Sequence, residues 1–347
     1  MTPIDLSAWL AGESSVLAEP LLAIAAACAE ISAVTRLGPL AGLHGAADSH
    51  HTHGEAQHKL DLGADAKLAE ALARCPSVAG WASEEHEHPV VSPEHGDHGG
   101  LLVVFDPLDG SSNVEANLSV GTIFSLLRHP LRGAAPGEAA FLQPGRRQLA
   151  AGYVIYGPAT VLVLSIGRGV QMFTLDPTSG RWLLVREAVT VPAATAEFAI
   201  NCSNQRHWEK PVQRYVAECI SGATGPRTRD FNMRWLACLV AEVHRILARG
   251  GVFLYPRDAR LPLKPDRLRL MYEAAPMALL MEQAGAGAVT GTQALLDIVP
   301  DVLHQRVPVI LGAREEVDRI VRYHAEPSEN VSWQLFRTRS LFVQPLA

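Results

Sequence analysis

The chain has 347 residues, of which 48% are hydrophobic, 19% charged and 6% aromatic, with a formal net charge of −6. That length suits roughly two domains. The apolar share excludes a disordered chain, and 28 glycines and 23 prolines without a period exclude collagen-like or low-complexity sequence. The mildly acidic balance argues against non-specific nucleic-acid binding and against adsorption to anionic membranes. Five cysteines, at positions 28, 75, 202, 219 and 238, form no CxxC pair and point to a reducing compartment. The N-terminal MTPIDLSAWLAGESS has no basic segment before an apolar core, so it does not read as a secretory signal. The apolar run from Leu21 to Ala29 is too short to cross a bilayer. The expectation is a soluble, cytoplasmic protein.

In chain order, residues 14–36 read as an alanine-rich helix with Ser14 and Ser15 as N-cap candidates. The polar, histidine-rich stretch 44–58 reads as a mobile loop, 64–74 as a second helix and 84–100 as another polar loop. A change to strands follows. LLVVF at 101–105 is a continuous apolar run, as in a strand buried on both faces. VGTIFSLL at 120–127 comes next. GYVIY, TVLVLSI, GVQMFTL and RWLLV then lie between 152 and 185, separated by GP, GRG and DPTSG turns, which predicts an antiparallel meander. From about 195 the pattern mixes again. Helices are expected near 206–221, 232–249 and 275–285, with strands at AEFAI, GVFLYP and VPVIL. The fold class is layered α/β with a boundary near 190, and the tail from Ala325 has no clear pattern.

The chemistry concentrates at LLVVFDPLDGSSN, residues 101–113. A buried strand ending at Asp106 and a turn through Pro107, Leu108 and Asp109 can aim two carboxylates and the Leu108 carbonyl at one point, a donor set suited to Mg²⁺. Gly110, Ser111, Ser112 and Asn113 follow, with backbone N–H groups and small hydroxyls that suit a phosphate. Cation ligands beside a phosphate cradle are the ingredients of metal-assisted phosphoryl hydrolysis.

With SEE at 83–85, SVGTIF at 119–124, LRLMYEAAPMALLMEQAG at 268–285 and LHQRVP at 303–308, this stretch resembles class I fructose-1,6-bisphosphatases of the lithium-sensitive, magnesium-dependent phosphatase superfamily. The resemblance covers about residues 20–320. It implies an α-β-α-β-α sandwich, with 1–190 supplying most metal ligands and 191–347 the sugar and 6-phosphate contacts. It also implies hydrolysis of the 1-phosphate of D-fructose 1,6-bisphosphate, two or three Mg²⁺ per subunit with Mn²⁺ as a substitute, and a homotetramer. Carried over residue by residue, the metal ligands are Glu84, Asp106, Asp109, Glu273 and the Leu108 carbonyl. Glu85 becomes the candidate general base. Asp61 and Asp65 match aspartates of an earlier catalytic loop, at a spacing one residue short. Gly110, Ser111 and Ser112 cradle the 1-phosphate. Asn201, Arg234 (from a neighbouring subunit), Trp235, Tyr255 and Arg267 meet the 6-phosphate.

Several positions depart from the family pattern. Trp235 stands where many members have tyrosine, Arg267 where many have lysine, and Ala237-Cys238-Leu239 where many have a Gly-Ser-Met run. Cys238 reads either as a redox sensor or as a small buried residue on a helix, and His244 as structural. The residues that bind AMP in animal members are missing apart from Arg128, so weak or absent AMP control is expected. His50, His51, His53 and His58 in one loop, and His86, His88, His95 and His98 in another, read either as Zn²⁺ or Ni²⁺ ligands or as polar loop residues. Two other functions stand beside the main reading: a sedoheptulose-1,7-bisphosphatase or dual-specificity enzyme, and a catalytically silent sugar-phosphate sensor. Gluconeogenesis and carbon fixation are both consistent with it.

Overall fold

The computed structural model describes residues 4–42, 46–50, 56–95, 100–131, 133–260, 266 and 268–326. The histidines at 51, 53 and 98, the residue Arg267 and the tail beyond 326 lie outside the described residues. The chain opens with α1 (Leu6–Leu10) and α2 (Ser15–Leu37), then a hairpin of β1 (Ala46–His50) and β2 (Ala56–His58), then α3 (Lys59–Ala73). The loop expected over 44–58 therefore contains a short antiparallel pair, Ala46 opposite His58. Helix α3 begins five residues earlier than expected, which puts Asp61, as well as Asp65, on its first two turns.

Eight strands build the first sheet: β3 (Val78–Ser83), β4 (Val90–Val91), β5 (Leu101–Asp109), β6 (Val120–Arg128), β7 (Gln148–Tyr156), β8 (Thr160–Ser165), β9 (Gln171–Leu175) and β10 (Trp182–Arg186). A single turn, α4 (Glu138–Phe141), sits between β6 and β7. The strand order is β10-β9-β8-β7-β6-β5-β3-β4. The antiparallel meander expected between 152 and 185 is β7 to β10; β6 and β5 continue it in the same antiparallel sense, while β3 lies parallel to β5.

The second half comprises β11 (Glu197–Ala199), α5 (Lys210–Ile220), β12 (Asn232–Met233), α6 (Leu239–Arg249), β13 (Val252–Tyr255), β14 (Leu268–Arg269), α7 (Ala275–Gln283), β15 (Gly287–Val289), β16 (Arg306–Val307), β17 (Val309–Gly312) and α8 (Arg314–Ala325). Its five-stranded sheet has the order β12-β11-β13-β17-β15. The helix expected over 206–221 is split into a short 3-10 segment, Cys202–His207, and α5. The helix expected over 232–249 begins only at Leu239. The residues before it are not helical: Ala237 takes a left-handed φ of 55° and Cys238 an extended φ of −147°.

Side-chain alternation explains the layering. On β7, Ala150, Val154 and Tyr156 join the core beneath α1, α2 and α3, while Ala151, Tyr153 and Ile155 join the core shared with α6 and α7. On β13, Phe253 faces that same central core, and Val252 and Leu254 face α5 and α8. A period-two strand buried on both faces needs a layer on each side. The result is helices, sheet, helices, sheet, helices, the α-β-α-β-α sandwich expected. Helix α2 and its extension to Ala41 are long and apolar enough to span a bilayer by length and composition alone. Its Leu21, Ile24, Cys28 and Ile31 are instead buried against the first sheet.

Candidate active site

The strand β5 does not stop at Asp106 but continues through Asp109. Asp106 pairs with Ile123 and Asp109 with Gly121, so three steps along β5 match two along β6. That extra residue is a β-bulge. In a regular strand, residues three apart face opposite sides of the sheet; the bulge brings Asp106 and Asp109 to one side. Pro107 fits there because it has no N–H to give the ladder. The bulge is pinned by Thr122 on β6, whose hydroxyl donates to the Pro107 carbonyl at 2.8 Å and lies 2.8 Å from the Tyr156 hydroxyl. The Leu108 N–H donates back to Oδ1 of Asp106 at 3.0 Å.

Glu273 arrives from the other side of the site. It sits on a wide π-type turn, Leu270–Ala274, that leads into α7. Such turns re-aim a side chain out of the regular helical row. The Arg269 N–H donates to its Oε2 at 2.6 Å. Asp106, Asp109 and Glu273 are all buried, and one oxygen from each lies within 4.8 Å of the others. Among the described residues this is the one such group of three, and no histidine joins it.

The electrostatics follow from burial. Desolvation, then the charges of Glu84, Asp109 and Glu273, push the Asp106 carboxyl well above its usual range. Burial pushes Asp109 up to about 6 and Glu273 up to about 8. Three carboxylates gathered away from water are costly unless a cation shares the site. An all-oxygen donor set of this kind fits a hard divalent ion.

Glu84 lies beside the cluster. Its carboxylate hydrogen-bonds to Asp106 but is also paired with the buried guanidinium of Arg269. Arg269 was not foreseen as a site residue, although it lies inside the LRLMYE stretch. Glu85 is half-buried, and its N–H donates to the Ser83 hydroxyl at 3.2 Å. Asp61 is buried. Asp65 accepts from the Ser83 hydroxyl and lies 2.8 Å from Nε2 of His86. The Asp65 hydrogen bond lifts the His86 pKa above its ordinary value. His304, within the LHQRVP stretch, meets the His86 carbonyl at 3.0 Å through Nε2 and so fastens the 84–86 segment to the second half of the chain.

Asp109 is held by the start of α6. Its Oδ2 accepts from the Val240 N–H at 2.7 Å and lies 3.0 Å from the Cys238 sulfur. A carboxylate at a helix N-terminus satisfies otherwise unpaired N–H groups and meets the positive end of the dipole. Gly110 follows with a φ of 79°, and a Cβ there would come within 2.9 Å of Cys238. Only glycine fits without strain. Ser111 and Ser112 begin a short turn and are accessible, while Asn113 is buried and donates to the Leu236 carbonyl at 3.1 Å.

The segment 234–238 links this cluster to a second cleft. The Trp235 ring stacks on Phe253, with centroids 6.0 Å apart, and meets Tyr255 at 6.0 Å. Tyr255 and Asn201 line one cleft together with Asn204, Trp208, Asp258 and Arg260. Asn201 accepts from the Ser203 hydroxyl at 2.6 Å. Arg234 lines no part of that cleft; it is exposed, 3.9 Å from Glu197. Cys238 is buried and precedes α6 in extended conformation rather than lying on the helix. Burial and the Asp109 charge push its thiol well above the ordinary range, so it remains a donor. His244 is half-buried, with Nδ1 2.9 Å from the Tyr153 hydroxyl, which is a structural placement.

A five-layer sandwich with a buried carboxylate cluster at a strand bulge, flanked by accessible serines, defines a class of cation-binding α/β protein. Comparison with known proteins gives the particular family. The model for the N-terminal domain of fructose-1,6-bisphosphatase matches residues 7–187, and that for its C-terminal domain matches residues 191–325. A Methylibium petroleiphilum protein named fructose-1,6-bisphosphatase class 1 1 is 64% identical over 351 aligned positions, covering 100% of both chains. Holo and apo crystal structures of Leishmania major fructose-1,6-bisphosphatase superpose with TM-scores of 0.88 and 0.82, at 33% and 32% identity. Each covers 94% of this chain and 100% of its own. The chain belongs to the fructose-1,6-bisphosphatase family.

Proposed function

We propose that this protein hydrolyses the 1-phosphate of D-fructose 1,6-bisphosphate to fructose 6-phosphate and inorganic phosphate, with a divalent cation required. The observation that carries the reading is the buried Asp106, Asp109 and Glu273 cluster beside Ser111 and Ser112, in a chain of this family. These three, with Glu84 and the Leu108 carbonyl, would hold two or three Mg²⁺ or Mn²⁺ ions. When bound, such ions polarise phosphoryl oxygens and acidify water. Ser111 and Ser112 donate to the 1-phosphate, and Gly110 lets the phosphate approach the backbone. Glu85 takes the proton of the attacking water. As the water oxygen bonds to phosphorus, the phosphorus–oxygen bond to C1 breaks and the sugar oxygen leaves with its electron pair, to be protonated. Asp61 and Asp65 belong to the proton-handling side of the site, Asp65 being oriented by Ser83 and His86.

The distal phosphate is assigned to Asn201, Trp235, Tyr255 and Arg267, with Arg234 reaching across from a neighbouring subunit of a homotetramer. Residues 1–190 then supply most cation ligands and 191–347 the sugar contacts. Five unpaired cysteines suit a reducing cytoplasm. The altered run Ala237-Cys238-Leu239 keeps sedoheptulose 1,7-bisphosphate as a second candidate substrate.

The test is phosphate release from each bisphosphate, with and without Mg²⁺, by wild type and Asp109→Ala. Release that needs Mg²⁺ and is lost in the variant supports the mechanism. A higher kcat/KM for the heptulose shifts the substrate. Sugar-phosphate binding without any release would replace the enzyme with a sensor.

A further inference from the structure

Cys238, just ahead of α6, touches the carboxylate cluster through its sulfur. Oδ2 of Asp109 accepts from the Val240 N–H at 2.7 Å and from the Cys238 thiol at 3.0 Å, and the Leu239 N–H also donates to this carboxylate. Cys238 is buried, at 4% exposure, and its Cβ and sulfur close the space over Gly110, the next residue after Asp109. The sulfur is thus fixed by its own backbone before α6 and by the glycine it covers. Two N–H groups from one helix turn leave the carboxylate some freedom about χ2; a thiol held ahead of that turn adds a donor of different origin and restricts the plane of the group.

We propose that Cys238 is a positioning residue for the cation site, its thiol donating to Oδ2 of Asp109 and holding that carboxylate in the orientation that reaches Asp106 and Glu273. The proposal rests on the reading of the cluster as a divalent-cation site. Partners one step removed from a cation set its affinity by orienting the groups that bind it. The burial of the sulfur argues against its alternative reading as a redox sensor, since reactive cysteines are partly exposed in electropositive surroundings, whereas this one faces carboxylates.

The experiment is Mg²⁺ and Mn²⁺ binding to the full chain by titration calorimetry, for wild type, Cys238→Ala and Cys238→Ser. Alanine is expected to weaken binding about tenfold, and serine, which restores a donor, to recover it to within about threefold. The metal-free alanine variant should melt below wild type, because a buried acceptor loses a donor and a small space opens; a merely structural cysteine would lower the midpoint in the same way but leave cation affinity untouched. Wild-type affinity in the alanine variant, or equal weakening by serine and alanine, overturns the proposal. A wild type that takes up no divalent cation overturns the cluster reading beneath it. Infrared spectroscopy of wild type minus Cys238→Ser supplies a readout on well-folded protein. A hydrogen-bonded S–H stretch that shifts when Mg²⁺ is added is expected, and an S–H band indifferent to Mg²⁺ would also overturn the proposal.

Discussion

The Val240 N–H donates to Oδ2 of Asp109 at 2.7 Å, so the last residue of β5 in the first sheet is gripped by the first turn of α6, far along the chain. Asp109→Asn keeps an acceptor for Val240 but removes the charge. Divalent-cation affinity should fall by about 100-fold or more, and the metal-free variant should melt at a higher temperature than wild type, since one buried like charge is gone. Calorimetry and thermal unfolding without metal check both halves. A variant that binds cation as wild type does would remove Asp109 from the site.

Glu273 sets a pH dependence. Its carboxyl titrates near 4.5 when unfolded and about 8 when folded, and Asp109 near 3.8 against about 6. Below the unfolded values both states hold the protons and nothing is gained or lost. As pH rises toward 8 the unfolded chain ionises while the folded chain keeps its protons, so the metal-free protein loses stability across that window. A cation competes with the same protons, so its stabilising effect should grow from pH 5 to 8. Thermal midpoints measured with and without Mg²⁺ across this range test the point, and Glu273→Gln should flatten the difference. A Mg²⁺ shift independent of pH in wild type would contradict it.

Gly110→Ala confronts both a positive φ and a Cβ within 2.9 Å of Cys238. Strain of this kind costs on the order of 1–3 kcal/mol. Urea unfolding should show that loss, together with impaired phosphate release because the loop carrying Ser111 and Ser112 must shift. Unchanged stability would mean that the turn adapts freely.

Away from the site, Arg227 donates to both carboxylate oxygens of Glu316, at 2.6 and 2.7 Å, and the Tyr215 hydroxyl donates to the same group at 2.8 Å. All three are buried. Arg227→Met leaves Glu316 with Tyr215 and the more exposed Arg229, and should cost about 3–5 kcal/mol in chemical denaturation. A loss below about 1 kcal/mol would show that Arg229 replaces it.

Much of the site was legible in the sequence because chemistry there is local. Asp106, Asp109, Gly110 and the two serines lie within seven residues, and a cation or phosphate cradle needs such donors close together. The apolar runs of β5 to β10 and the meander of β7 to β10 were readable for the same reason: period and turn residues are properties of neighbours. Errors fell where distant contacts overrode local propensity. Residues 232–238 have a helical composition, yet they are not helical, with Asn113 holding Leu236 and Trp235 stacking on Phe253. The strand that was expected to end at Asp106 runs on because Thr122 and Gly121 on β6 pair with its bulge.

The sequence by itself determined the fold class, the family and the residue types that meet the chemistry, since hydrophobic period and motif spacing encode these directly. Only the tertiary structure decided that Asp106 and Asp109 face the same way, that Glu84 pairs with Arg269, and that Cys238 rather than a more distant group closes on Asp109. Those outcomes depend on strand register and on helices that meet after the chain has turned back on itself. Packing the central layer between two sheets selects one such arrangement, and no local pattern records it.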